Sequence, residues 1–273
     1  MTDRAPAPAD PGAVVNGFFD RALVLTLARA GRRQERVRAR LGALGIRFDF
    51  LPGFDGAALD RTALARDGLY DADRARRVDR FGREMNAGEL GASLSHRRAY
   101  EEAVRNGWRR VLVFEDDLVP RPADLPALGA ALSELPEDWD LVWLGYTNFE
   151  RVTLRDRLKQ AVYVPMAAMR LLKWTPAEVL RFHPKPYSAH LRRAGLHHCA
   201  HAYAVSLAGA RKLLELQTPV AWVADQLLVH AVLAAKVKAF VTEPQFFDQE
   251  RYAAPVEGGE PASYITDRTR SPP

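Results

Sequence analysis

An α/β fold with a mostly parallel central sheet flanked by helices is the expectation for this 273-residue chain, because strand-like and helix-like stretches alternate through its first half. Two apolar runs, 22–27 (ALVLTL) and 111–114 (VLVF), are continuous rather than alternating, as expected of strands buried on both faces. The second run passes straight into Glu115, Asp116 and Asp117. Parallel sheets bind ligands outside the carboxyl ends of their strands, so Thr26 and the acidic triplet are expected to wall one site.

The elements follow in order. Residues 1–20 are rich in Pro, Ala and Gly without periodicity and read as a disordered tail. After the strand at 22–27, residues 34–44 place Val37, Leu41 and Leu44 at helical spacing, and Gly45 is positioned to end that helix. Residues 46–50 alternate in the two-residue rhythm of a strand, and the turn-rich PGFDG at 52–56 completes a βαβ opening. Residues 60–85 are charged with weak periodicity and read as short surface helices or loop. The helix signal returns over 86–106, with Leu90, Leu94, Ala99 and Val104 among polar residues, Asn86 near its start and Gly107 as its stop. A Pro-rich linker, 120–136, leads to another strand at 140–145.

Residues 147–198 form a basic, aromatic insertion broken by Pro165, Pro176, Pro184 and Pro186. Order resumes with a strand at 201–206 and a short helix at 208–216. A further helix opens at Asp225 with Leu227, Leu228, Ala231 and Val232 on one side, and a last strand spans 237–241. The expected organisation is one domain over 21–265 carrying the insertion, with disordered tails at 1–20 and 266–273.

Composition narrows the function classes. Hydrophobic residues make up 48% of the chain, enough for a proper core. A single Cys199 excludes a disulfide framework and a cysteine-rich zinc site. No stretch approaches the roughly 18–20 unbroken apolar residues of a membrane span, and MTDRAPAPADPG does not read as a signal peptide. The expected location is the cytoplasm, peripheral on the inner face of the cytoplasmic membrane. Residues 151–198 hold ten Lys and Arg against Asp156 and Glu178, a surplus of eight in a chain of net charge +5, so the remainder stands at −3. Interleaved with Met166, Met169, Leu171, Leu172 and Trp174, these cations suit an anionic membrane surface or a phosphorylated glycan; a solvated loop is the plainer reading. No RNA-binding motif accompanies them, so nucleic acid is not an expected partner.

The acidic triplet is the strongest chemical signal. Adjacent carboxylates repel, and a hard divalent ion with oxygen ligands relieves that repulsion and can grip a diphosphate. A solvated acidic turn after a buried strand is the alternative. Ser95 and His96 are neighbours on a helix, point in different directions and cannot pair as nucleophile and base.

Five segments then fall in a known order: AGELGASLSHRRAY at 87–100, VLVFEDDLVP at 111–120, DWDLVWLG at 138–145, HAYAVSLAGARKLL at 201–214 and PVAWVADQLL at 219–228, with FDG at 54–56 behind the first helix. Their order resembles glycosyltransferase family 25, which includes bacterial lipopolysaccharide glycosyltransferases and collagen galactosyltransferases. The resemblance implies a Rossmann-like nucleotide-diphospho-sugar transferase fold of the A type, with Mn2+ or Mg2+ and a UDP-sugar donor. It also implies inverting transfer of a hexose, galactose foremost, to a hydroxyl of a glycan acceptor such as a lipopolysaccharide core.

By position in that family, Asp117 would ligate the metal together with Glu115, while Glu115 and Asp116 would contact ribose or bound water. Asp55, Gly56 and His96 match donor-side segments, although a structural histidine suits His96 equally. Asp225 would be the base or orient the acceptor; its plainer reading is a helix N-cap. Asp248 is a weaker rival. The first strand departs from the family's Asn-Leu-Asp-type ending, which leaves Thr26 to hydrogen-bond and Arg29 or Arg36 to reach phosphate. Two rival classes remain: a metal-dependent phosphohydrolase, and a non-catalytic protein of the same fold that binds an anionic surface or glycan.

Overall fold

The computed structural model describes residues 10–250. Its first half runs α1 (Pro11–Phe18), β1 (Arg21–Thr26), α2 (Gly31–Ala43), β2 (Asp49–Pro52), α3 (Arg61–Arg66), α4 (Ala72–Val78), α5 (Ala87–Asn106), β3 (Arg110–Glu115) and β4 (Leu118–Pro120). There follow α6 (Leu128–Ser133), β5 (Leu141–Thr147), α7 (Leu154–Ala168), α8 (Pro176–Val179), β6 (Lys185–Pro186), β7 (Leu191–Arg193), β8 (His198–Ser206), α9 (Leu207–Leu216), α10 (Ala224–Leu233), β9 (Ala239–Thr242) and β10 (Phe247–Gln249).

Eight strands form one sheet in the order β2-β1-β3-β8-β5-β9-β7-β6, and β4 pairs with β10 in a separate ribbon. Six of the eight run in one direction, and only β8 and β7 oppose them. The sheet is therefore mostly parallel, as expected, with a reversed strand at its centre. Alternate side chains feed two cores. Val24, Phe114, Val142 and Phe240 meet α1, α2 and α6 on one face. Leu23, Val113, Trp143 and Tyr203 meet α5, α9 and α10 on the other. Helices thus cover both faces, which is why the central strands read as continuous apolar runs.

Helix α5 is the best specified helix. Asn86 accepts from the Glu89 amide at 2.8 Å while the Glu89 carboxylate accepts from the Asn86 amide, a capping box, and Gly107 closes the helix in the left-handed region at φ 65°.

Several expectations are corrected. The first 20 residues are not all tail: α1 starts on an Asp10 cap with Pro11 in its first turn, and Val15 and Phe19 are buried in the core. Pro and Ala richness masked an ordinary helix start. Residues 1–9 and 251–273 lie outside the description, and with them the expected end of the domain at 265 and the tail at 266–273. The second strand is Asp49–Pro52, three residues later than its alternation suggested at the start. The linker at 120–136 contains α6, whose Leu128, Ala131 and Leu132 are buried. The segment 147–198 is partly integral, since β7 pairs with β9 and extends the sheet. Among the described residues, no helix is long and apolar enough to cross a membrane.

Candidate active site

The carboxyl ends of β1 and β3, the start of β8 and the first turn of α10 surround a cleft of about 390 Å³. It lies at the edge of the sheet where the sequence placed it. Parallel pairing sets Leu25 beside Glu115, so the residues that follow, Thr26 and Asp116, come together.

The three acids have three environments. Asp116 is buried and spent on the protein: Oδ2 accepts from the Thr26 hydroxyl at 2.7 Å and Oδ1 from Arg33 Nη1 at 2.8 Å. Both Thr26 and Asp116 line the cleft, and these bonds lock the ends of β1 and β3 to α2. Glu115 is partly open; Oε1 accepts from His96 Nε2 at 3.1 Å and Oε2 from the Gln249 amide at 3.2 Å. Asp117 is buried at the cleft wall, with the same Gln249 amide at 3.3 and 3.4 Å from its two oxygens. Burial, and then the negative charge of Glu115, pushes the Asp117 carboxyl well above the usual carboxylate range, while Arg33 offsets part of the rise.

The β4–β10 ribbon holds Gln249 opposite the triplet, because Gln249 pairs with Leu118 and the Glu250 amide donates to the Asp117 carbonyl at 2.9 Å.

Helix α5 supplies the next wall. His96 is buried with both ring nitrogens engaged: Nε2 faces Glu115, and Nδ1 lies 2.8 Å from the Tyr203 hydroxyl. It lines the cleft and holds Glu115 in place. The FDG turn seats on the start of α5 by close backbone contact. A Cβ on Gly56 would lie 1.8 Å from the Ala87 carbonyl oxygen, and one on Gly91 would lie 2.5 Å from the Phe54 carbonyl oxygen. The Ser95 hydroxyl accepts from the Phe54 amide at 2.8 Å and so fixes the turn. At the cleft mouth Arg29 pairs in bidentate fashion with Asp55, Nε to Oδ2 at 2.7 Å and Nη2 to Oδ1 at 3.2 Å.

Asp225 lines the same cleft from the first turn of α10. It is not the N-cap; Val223 holds that position, and no side-chain cap bond forms there. Cys199, the second residue of β8, has φ 77°, a strained conformation for a residue with a side chain, and lines the cleft with Ala200.

Two candidates fall elsewhere. Arg36 turns away from the cleft and, with Arg40, pairs with Glu250 at 2.7 Å, so its expected phosphate contact is corrected. Asp248 lies on β10 opposite Val119 and is not a lining residue. The histidines near β8 do not converge: His197 Nδ1 meets the Asn148 carbonyl at 2.9 Å, and His201 Nε2 lies 3.4 Å from the Phe247 carbonyl. The sequence reading passed over Arg33 and Gln249. Arg33 carried a usable signal: it stands four and eight residues before Val37 and Leu41, on the buried stripe of α2. Gln249 carried none, since its role depends on a strand pairing with Leu118, 131 positions earlier.

The donor set fits a hard divalent ion. Asp117 and Glu115 offer carboxylate oxygens on one wall, both within reach of the same Gln249 amide. Among the described residues no group of three or more His, Cys, Asp or Glu could enclose a metal. The protein's share would be these two carboxylates, with substrate and water oxygens completing the shell.

Comparison with known proteins gives a family match over most of the chain. The family model described as "Glycosyltransferase family 25 (LPS biosynthesis protein)" matches residues 19–228. A human protein named Inactive glycosyltransferase 25 family member 3 is 31% identical over 204 residues, covering 73% of this chain and 29% of the relative. Procollagen galactosyltransferase 1 of Danio rerio is 31% identical over 131 residues, 46% of this chain and 21% of the relative. The chain thus spans under a third of the length of these relatives. Among solved structures, mannose-1-phosphate geranyltransferase from Thermus thermophilus aligns with a TM-score of 0.38 at 16% identity, over 84% of this chain and 75% of that one, too distant to carry an argument.

Proposed function

Because the chain belongs to glycosyltransferase family 25, we propose that it is an inverting hexosyltransferase. Its donor is a UDP-hexose, galactose foremost, and its acceptor is a hydroxyl of a cell-surface glycan such as a lipopolysaccharide core. The observation that carries the reading is that Asp117, Glu115 and Asp225 line one cleft at the carboxyl edge of the sheet.

Asp117 and Glu115 would hold Mn2+ or Mg2+ at the donor diphosphate. When bound, such an ion supplies Lewis-acid stabilisation of the charge that builds on the leaving phosphate. The chain's own residues do the rest. Thr26, Asp116 and Arg33 fix the strand ends, and His96 orients Glu115 from behind. Asp225 accepts the proton of the acceptor hydroxyl as its oxygen bonds to the anomeric carbon. The bond from that carbon to the phosphate oxygen breaks with its electron pair, and UDP leaves from the opposite face.

A second reading has one observation in its favour. Relatives at about this identity carry names that call them inactive, so a non-catalytic glycan-binding domain of the same fold is the alternative. Release of UDP from a panel of UDP-hexoses, with and without Mn2+, separates the two. The transferase reading expects metal-dependent release that falls by about 10²–10⁴ in Asp225→Asn. UDP release from none of the sugars, with or without a glycan acceptor, would favour the binding domain.

A further inference from the structure

Helix α7 presents apolar residues outward as well as inward. Its inner side, with Tyr163, Val164 and Ala167, packs on a small core with Val179, Phe182 and Val229. The Gln160 amide donates to the Val179 carbonyl at 2.7 Å and anchors that side. The outer side carries Leu154, Leu158 and Val162, which are 73%, 60% and 56% exposed, and Met169 and Leu171 extend it past the helix end at 63% and 64%. At 3.6 residues per turn, Leu154, Leu158, Val162 and Met169 fall on one stripe. A contiguous patch of this kind marks a contact surface rather than an ordinary wet helix face.

The charges around the stripe identify the contact. Arg155 and Lys159 border it on one side and Arg157 on the other, and Arg170 follows the helix; all four are exposed. None of the four forms a salt bridge among the described residues. A second copy laid on this face would bring like charges together at both borders. An anionic bilayer would meet them with phosphates, and long cationic side chains can reach headgroups while the apolar stripe enters the acyl boundary.

We propose that α7 and the turn after it form an in-plane anchor that docks this protein on an anionic phospholipid bilayer. The anchor does not depend on the transferase reading, since α7 touches α10 away from Asp225 and shares no residue with the cleft.

Co-sedimentation of the full chain with phosphatidylcholine vesicles, with and without phosphatidylglycerol, tests the proposal. Binding is expected on the anionic vesicles only, and to weaken with salt. Each cation removed near the surface weakens binding about fivefold, so Arg155→Gln/Lys159→Gln is expected to bind roughly 25-fold less tightly. Leu158→Ser/Val162→Ser removes exposed side chains only, so it is expected to keep the wild-type melting temperature and to lose vesicle binding. Asp117→Asn is expected to bind vesicles as wild type does, which separates this surface from the donor site. Three results would overturn the proposal: no binding to anionic vesicles at low salt, equal binding to both vesicle types, or a dimer in light scattering that the Leu158→Ser/Val162→Ser variant dissolves.

Discussion

Replacing Arg33 by Met should expose how the acidic triplet is held. Arg33 and Asp116 are 6% and 7% exposed, and Nη1 to Oδ1 is 2.8 Å. Removing the guanidinium leaves a buried carboxylate with the Thr26 hydroxyl as its remaining close donor. Opposite charges about 4 Å apart at an effective dielectric of roughly 20 interact by about 4 kcal/mol. Breaking buried pairs on one side costs about 3–5 kcal/mol by mutation, which agrees. In a domain of this size about 1 kcal/mol moves the melting temperature by roughly 2–4 °C, so a fall of about 6–20 °C is expected.

The assay is urea unfolding followed by tryptophan fluorescence, with melting temperature as a second readout. Arg33→Met/Asp116→Asn removes both charges yet keeps an acceptor for Thr26, and is expected to recover all but about 1–2 kcal/mol. A loss below about 1 kcal/mol for Arg33→Met would refute the reasoning. So would a double variant no more stable than the single one, because the cost would then not come from the stranded carboxylate.

Other outcomes follow from the same geometry. Gly56→Ala drives a Cβ to 1.8 Å from the Ala87 carbonyl oxygen and should cost about 1–3 kcal/mol or more in urea unfolding. Gly42→Ala on α2 meets nothing within 4 Å and should stabilise by up to about 1 kcal/mol. His197 is buried, and that burial depresses its imidazole to about 3, so the folded protein keeps it neutral where the unfolded chain takes up a proton. Stability should therefore fall as pH drops from about 6.5 toward 3, by at most about 1.4 kcal/mol per pH unit from this group, and His197→Gln should flatten that slope in urea titrations at several pH values. An unchanged slope would remove His197 from the explanation.

Much of the cleft was legible because its parts are local in sequence. The acidic triplet follows an apolar strand directly, and Asp225 precedes an apolar helix face, so each could be placed on an element before the elements were assembled. The glycines of FDG and AGELG were visible as residues, but their reason is a backbone contact between 56 and 87 that no local pattern encodes. The same limit hid the direction of β8, since a run buried on both faces reads alike parallel or antiparallel. Pairing partners explain the remaining corrections. Arg36 and Arg40 lie one turn apart on α2 and meet Glu250, more than 200 residues on, so charge and position alone pointed Arg36 at a phosphate. For Asp116, expected at ribose or bound water, the bonds to Thr26 and Arg33 join residues 90 and 83 positions apart, which no local pattern encodes.

Calorimetric titration of UDP into wild type and Asp117→Ala, with and without Mn2+, tests the central claim most directly. Binding that requires Mn2+ in wild type and is lost in Asp117→Ala is the predicted result, and it would put the donor diphosphate at the acidic wall. UDP binding that ignores both the metal and the substitution, or no binding at all, would contradict it.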